Sequence, residues 1–363
     1  MRGAGMEEGR GGSVTRAMRL AEAGSDLKGL DREELGGIMA ELGEPSYRVE
    51  QVMRWMYRHD AADVQAMTNL SQALRERLSA RYRIGRLREV TREASVDGTC
   101  KLLLALDDGP TVEAVLIPEE GRRTACISSQ AGCGIGCTFC ATALGGFVRN
   151  LSAGEIVDQV LALQRATGEK VTNVVFMGMG EPFANYAQVM RAARLLSDPW
   201  AFGIGARHIT ISTSGVVPAI ERFTGEGRQF VLAVSLHAAT DAVRDQLVPL
   251  NRKYPIDVLI GACRRYVAAT RRRITFEYVM IDGVNDTPEQ ARNLIAITRG
   301  LLCHVNLIPW NPVPETGFRR SHPAVIREFA ERLRAAGVPT TVRRERGTDI
   351  QAACGQLRRS RME

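Results

Sequence analysis

From residue 124 onward, short β-branched runs alternate with helical stretches, and this alternation limits the possible folds more than any other feature of the chain. Candidate strands fall at 124–128, 173–178, 207–212, 230–235, 274–280 and 304–308, with a weaker one at 340–343. Helical patterns lie between them at 154–166, 186–196, 287–299 and 323–336. Such spacing implies parallel strands joined by right-handed crossovers. Six repeats over about 220 residues suit an α/β fold built as an open, partial (β/α)6 TIM-like barrel better than a closed eightfold one. Reactive residues in such folds gather at the C-terminal ends of the strands, so the chemistry is expected there.

The 363 residues allow two or three domains. Residues 1–25, rich in Gly and Arg, read as a disordered tail. A small N-terminal helical bundle, an accessory domain, is expected over 26–95. Asp31 with Glu34 forms a capping-box start; Val49, Val52, Met53 and Met56 share one face of the next helix; a third fits 71–82. Trp55 and the methionines are assigned to its core. The runs 101–106 and 112–117 flank Asp107-Asp108-Gly109-Pro110 and predict a connecting β-hairpin, a linker spanning 96–122. The barrel then occupies 123–345, and 346–363 form a C-terminal loop.

No stretch approaches the roughly 20 apolar residues of a membrane span, and the N-terminal stretch lacks the apolar segment of a secretory signal. A cytoplasmic protein with no membrane partner is the expectation. Net charge is +7, from 48 basic and 41 acidic residues. A mildly basic surface is compatible with a phosphate-backbone partner, although an arginine bias also arises from genome composition alone.

Eight cysteines stand at 100, 126, 133, 137, 140, 263, 303 and 354. Cys133, Cys137 and Cys140 fall within Cys133-Gly134-Ile135-Gly136-Cys137-Thr138-Phe139-Cys140, directly after the first barrel strand. Thiolates at this spacing select an iron–sulfur cluster or zinc. A four-iron cluster needs four ligands, so either a distant cysteine completes the set or one iron stays open for substrate. Cys100, Cys263 and Cys303 read as buried and inert. Cys126 lies on the first strand, and Cys354 sits in a polar, glycine-flanked segment, where fourth ligand is its strongest rival role.

Four more strand ends carry polar groups. The second ends in Gly178-Met179-Gly180-Glu181, whose carboxylate suits a substrate ammonium and whose glycines permit close backbone approach to a ligand. The third ends near Ser212, the fourth in Ser235-Leu236-His237, and the sixth in Ile308-Pro309-Trp310-Asn311. His237 is a candidate acid or base, and equally a hydrogen-bonding contact.

The cysteine spacing, with an aromatic before the last Cys, resembles the radical S-adenosylmethionine superfamily. The fuller set SSQAGCGIGCTFCAT, FMGMGEP, ITISTSGVVP, SLHA, EYVMIDGVND, LIPWNP and AACGQL, with EPSYRVEQVMRWMY upstream, resembles the RlmN/Cfr family of adenosine methyltransferases. That resemblance implies that Cys133, Cys137 and Cys140 hold a 4Fe–4S cluster. It implies that Gly180, Glu181, Ser212, Ser235, Leu236, His237 and Asn311 seat S-adenosylmethionine, two molecules per turnover. One molecule methylates Cys354, and a second, cleaved reductively, makes a radical of that methyl group, which adds to an adenine carbon. Glu113 matches the proton acceptor, and Cys126 resolves the adduct, leaving a Cys126–Cys354 disulfide. The implied target is carbon 2 of adenosine 2503 in 23S ribosomal RNA, with adenosine 37 of transfer RNA as a second. The implied partners are these RNAs and an electron donor such as flavodoxin or ferredoxin, acting on a monomer.

Two departures from the family pattern stand out. Ala143-Leu144 replace a commoner Gly-Gln, and Phe183-Ala184 stand where a Leu is commoner. Three other readings compete: carbon 8 methylation, as in Cfr; another radical enzyme such as a glycyl-radical activase, for which Cys126 and Cys354 are dispensable; and a non-enzymatic iron–sulfur RNA-binding module with Cys126 or Cys354 as fourth ligand.

Overall fold

A computed structural model describes residues 24–357. Of the tail expected over 1–25 only Gly24 and Ser25 fall among them, and Ser25 already belongs to a strand; 358–363 also lie outside. The N-terminal part runs through β1 (Ser25–Asp26), α1 (Arg32–Glu41), α2 (Tyr47–Tyr57), α3 (Gln72–Ser79) and β2 (Tyr82–Arg83), with β1 and β2 paired in parallel. Asp31 caps α1 by accepting from the Glu33 and Glu34 amides, while the Glu34 carboxylate accepts from the Asp31 amide at 3.0 Å. On α2, Val49, Val52, Met53 and Met56 are all buried.

The bundle is fastened to the barrel. Lys28 Nζ meets Asp158 at 2.6 Å with both side chains buried, and Arg32 grips Asp198 through two 2.6 Å bonds. A Cβ on Gly29 would sit 2.5 Å from the Gly154 amide nitrogen, so only a bare backbone fits that approach.

Next comes an antiparallel meander: β3 (Arg88–Ala94), β4 (Cys100–Ala105), β5 (Thr111–Glu119) and β6 (Arg122–Cys126). The expected hairpin is β4–β5, but it is no separate linker. Its strands are inner members of one ten-stranded sheet ordered β14-β13-β12-β11-β10-β9-β6-β5-β4-β3. The edge strand β3 escapes sequence reading because Arg88-Glu89-Val90-Thr91-Arg92-Glu93 is almost wholly exposed and polar, with no apolar alternation to reveal it.

The remaining elements alternate. They are β7 (Gln130–Gly132), α4 (Ala141–Leu144), β8 (Phe147–Asn150), α5 (Ala153–Thr167), β9 (Asn173–Phe176), α6 (Tyr186–Ser197), β10 (Ile209–Thr213), α7 (Val217–Thr224), β11 (Val231–Ser235), α8 (Asp241–Leu247), α9 (Ile256–Thr270), β12 (Ile274–Met280), α10 (Pro288–Thr298), β13 (Cys303–Pro309), α11 (Pro323–Ala335) and β14 (Thr340–Val342). From β6 through β9 to β14 every neighbour is parallel, and the sheet does not close. The mixed α/β partial barrel is therefore what forms. Strand β6 stops at Cys126; the strand that leads into Cys133 is the short β7, paired with β8 rather than with the main sheet. No helix among the described residues is long and apolar enough to cross a membrane.

Candidate active site

The cysteine loop starts where β7 ends. The Cys133 amide donates to Gly146 O at 3.0 Å, and Thr138 fastens the far end by donating to Leu247 O at 3.1 Å and Gln246 O at 3.0 Å. Residues alternate across the loop: Cys133, Ile135 and Cys137 line a cavity of about 160 Å³, while Gly134, Gly136 and Thr138 are exposed. Cys140 lines the same cavity. Burial pushes the Cys133 thiol up to about 11 and the Cys137 and Cys140 thiols upward as well; the neighbouring sulfurs and Glu181 add to the rise at Cys137. Three thiolates cannot coexist there without added positive charge. Among the described residues no three His, Cys, Asp or Glu side chains are gathered closely enough to hold a single metal ion. A cubane needs no such cage, because each thiolate takes a different iron. Three soft donors around one cavity, short of positive charge, fit an iron–sulfur cluster.

Glu181 follows β9 and faces the same cavity. Its carboxylate accepts from the Phe183 amide at 2.9 Å and from both the amide and hydroxyl of Ser214 at 2.7 Å. Burial raises its carboxyl above the usual range, and these bonds oppose the rise. Gly178 and Gly180 are needed for packing inside the protein as much as for a ligand. A Cβ on Gly178 would stand 2.7 Å from the Ile127 carbonyl carbon, and one on Gly180, at φ +100°, would stand 2.6 Å from Gln130 Cβ.

Ser212, Ser235, His237 and Asn311 line the cavity with Gly180 and Glu181. The Leu236 side chain does not; it is fully buried, and its backbone accepts from Arg244 Nε at 3.0 Å. His237 sits at φ +60°, with its Nδ1 accepting from the Val279 amide at 3.1 Å. That bond assigns the ring proton to Nε2. Burial, aided by Arg244, lowers its pKa to about 3, which favours the neutral ring at physiological pH. Asn285 holds the turn by donating to His237 O at 2.7 Å and Val279 O at 2.6 Å, which accounts for the EYVMIDGVND motif.

Cys354 and Cys126 are brought together beside the cysteine loop, Cys354 facing its cavity as well. Both are free thiols lining one small cavity, with Arg343 on its wall. Arg343 Nη1 donates to Cys354 Sγ at 3.0 Å, and Asn311 Nδ2 donates to Cys354 O at 3.0 Å. Burial pushes the Cys126 thiol up to about 12; the Cys354 sulfur adds to this and Arg343 opposes it.

Glu113 lines neither cavity. It shares a sheet face with Cys126, since Val115, two residues along β5, pairs with Cys126. Lys101, paired with Val115 from the other side, stands 3.4 Å from the Glu113 carboxylate and donates to Ile350 O at 2.6 Å. Lys101 thus ties Glu113 to the segment carrying Cys354. The β3–β4 turn holds the same segment, with Asp97 accepting from the Gly347 amide at 3.0 Å.

Four residues escaped sequence reading. Arg343 and Lys101 contact partners far away in sequence, which no local pattern encodes. Glu277 lies inside a quoted motif; it is buried, lines the larger cavity and accepts from Asn306 at 2.8 Å. Arg244 is fully buried and donates to Leu236 O, Ser214 O and Asn251 Oδ1, so one cation gathers the ends of β10 and β11.

Comparison with known proteins agrees with this geometry. Residues 127–295 match the model of the Radical SAM superfamily, and residues 25–84 match the Ribosomal RNA large subunit methyltransferase N-terminal domain. A curated protein of Symbiobacterium thermophilum, named "Probable dual-specificity RNA methyltransferase RlmN", is 48% identical, covering 94% of each chain. One of the same name from Moorella thermoacetica is 49% identical over 92% of this chain and 97% of its own. The crystal structure of a radical SAM methyltransferase from Sphaerobacter thermophilus superposes with a TM-score of 0.88 at 50% identity, covering 92% of this chain and 98% of that one.

Proposed function

Because this chain belongs to the RlmN family of radical S-adenosylmethionine RNA methyltransferases, we propose that it methylates carbon 2 of adenine in RNA through a methyl group carried on Cys354. Adenosine 2503 of 23S ribosomal RNA is the proposed target, with adenosine 37 of transfer RNA as a second. These substrates make the cytoplasm its site of action. That ring carbon is electron-poor and carries no acidic proton, so ordinary methyl transfer finds no nucleophile there.

Cys133, Cys137 and Cys140 would hold a 4Fe–4S cluster, which when bound supplies the electron that cleaves S-adenosylmethionine and opens radical chemistry. Glu181 takes the ammonium of S-adenosylmethionine, Ser212, Ser235 and Asn311 its other polar groups, and His237 donates from Nε2. Gly180 and Leu236 contribute backbone. Two molecules are consumed per turnover, one to methylate Cys354 and one to activate that methyl group. Glu113, with Lys101 beside it, would accept the proton leaving the adenine ring, and the unpaired electron of the adduct would pass back to the bound cluster. Cys126 then attacks Cys354 sulfur as thiolate. A sulfur–sulfur bond forms, the sulfur–carbon bond breaks, and its electron pair leaves with the methylene carbon, which gains a proton to become the methyl group.

The observation that carries this reading is the pairing of Cys126 and Cys354 on one cavity wall with Arg343, with Cys354 also facing the cavity of the three loop cysteines. Cys126 lines only the smaller cavity, apart from Cys133, Cys137 and Cys140, which speaks against it as a fourth ligand, and Cys354 stands between the two cavities. The test uses anaerobically reconstituted protein, reductant, RNA and methyl-deuterated S-adenosylmethionine. Wild type yields 2-methyladenosine, Cys354→Ala yields none, and Cys126→Ala accumulates a covalent protein–RNA adduct. Normal product from Cys354→Ala overturns the mechanism, and 8-methyladenosine overturns the regiochemistry.

A further inference from the structure

We propose that the outer face of the cysteine loop, bordered by Leu144, Phe147 and Val148 on one side and by Arg252 and Lys253 on the other, is the docking surface for an acidic one-electron carrier protein. This rests on the reading that the loop holds an iron–sulfur cluster.

The loop is one backbone thick. Its cysteines line the inner cavity, and Gly134 and Gly136, both exposed, add no side chain of their own to its outer face. Electron transfer weakens steeply with distance, so this bare wall is the short route in. Eight large apolar side chains are exposed among the described residues, and three of them, Leu144 at 53%, Phe147 at 51% and Val148 at 39%, fall in one five-residue stretch beside this wall. Phe147 leans on the loop: a Cβ on Gly134 would touch its Cβ at 3.6 Å. Concentrated apolar exposure of this kind marks a protein-binding face.

On the other side, a Cβ on Gly136 would touch Pro249 Cγ at 3.9 Å, and the turn that begins there carries exposed Arg252 and Lys253. Neither forms an ion pair among the described residues, and Lys253 Nζ lies over the Tyr254 ring at 5.4 Å. The nearby carboxylates are hydrogen-bonded within the protein. Asn251 donates to Asp241 and Asp245 at 2.9 and 2.7 Å, and Arg149 holds both Asp108 and Glu155. An apolar centre with an unpaired cationic rim suits an acidic protein. It suits RNA less well, because Leu144 and Val148 offer a polyanion neither charge nor a stacking plane. In the step itself, the carrier loses one electron and the cluster gains it.

The experiment uses the reconstituted holoenzyme with flavodoxin hydroquinone as probe. Cluster reduction is followed by loss of its visible absorbance in stopped flow, and RNA affinity is measured in parallel. Leu144→Glu/Phe147→Glu and Arg252→Glu/Lys253→Glu should each slow reduction by flavodoxin about tenfold or more. The second pair should also flatten the dependence on salt. Reduction by dithionite and RNA affinity should stay at wild-type values. Unchanged flavodoxin rates in both variants overturn the proposal, as does a loss of RNA affinity with normal flavodoxin rates, which would make this an RNA face. Absence of any dithionite-reducible cluster in wild type would instead overturn the reading beneath it.

Discussion

Replacing Arg343 by Met tests how the resolving thiol is made reactive. At rest the Cys126 thiol stands at about 12, raised first by burial, then by the Cys354 sulfur, and lowered by Arg343. About one molecule in 10⁴ is then ionised at pH 8. Once Cys354 carries carbon, its sulfur cannot be negative, so one of the two raising influences disappears while Arg343 remains. Attack is thereby timed to the alkylated state. A cation within about 4–6 Å lowers a thiol by about 1–3 units, and part of the thiolate lost without it is repaid by higher nucleophilicity, with a coefficient near 0.45. Loss of Arg343 should therefore slow resolution by about 4- to 40-fold, from 10 raised to 0.55 times the shift. The assay is decay of the protein–RNA adduct on denaturing gels after one turnover, between pH 7 and 9.5. Arg343→Met should decay more slowly across that range, and Arg343→Lys should recover most of the rate. Equal decay in wild type and Arg343→Met refutes the argument. Equal slowing in both variants refutes the role of charge in favour of geometry.

Three further outcomes follow from named contacts. The His237 ring, at about 3, should show no titration between pH 5 and 9 by NMR, and a midpoint near 6 would contradict its buried neutral form. Lys28→Met breaks a buried 2.6 Å ion pair, leaving Asp158 with Arg165 and the Leu87 amide. It should cost about 3 kcal/mol, roughly 5 °C in melting temperature, and an unchanged melt would count against it. Asp97 is held near 2, because hydrogen bonds from Thr99, Gly347 and Ser95 outweigh its burial. Its folded value lies below its ordinary one, so its stabilisation is complete above about pH 4 and lost as pH falls toward 2. Limited proteolysis after residue 345 should rise through that window in wild type. In Asp97→Asn it should already be high at neutral pH.

What could be read from the sequence was what is local. Val-rich runs such as Asn173–Phe176 and Val231–Ser235 announce buried parallel strands because both their faces are covered. The cysteine loop and the Gly-Met-Gly-Glu turn are legible because ligand geometry fixes residue types at fixed spacing. Helices α7 and α8 escaped because seven or eight residues give too few turns to establish a period. Lys101 and Arg343 escaped for a different reason: their partners, Ile350 and Cys354, reach them through the packing of a terminal segment over sheet strands. Glu113 was reached only through resemblance, since a buried acid in mid-strand has no pattern of its own.

The two cavities share Arg343, Asn311 and Cys354 on their walls, and the charges along that shared boundary decide how one half can influence the other. On the cofactor side the fixed groups are mostly anionic or able to become so: Glu181, Glu277 and three thiols. Burial raises each of them, so each gains from a cation bound nearby. A sulfonium with its ammonium, seated beside Glu181, is such a cation. Glu277 is also a neighbour that Arg343 feels. A cationic guest that draws on Glu277 leaves more of the Arg343 charge to the two thiols on the far side. A guanidinium suits this boundary because its several donors can face Cys354 on one side while its charge reaches Glu277 on the other.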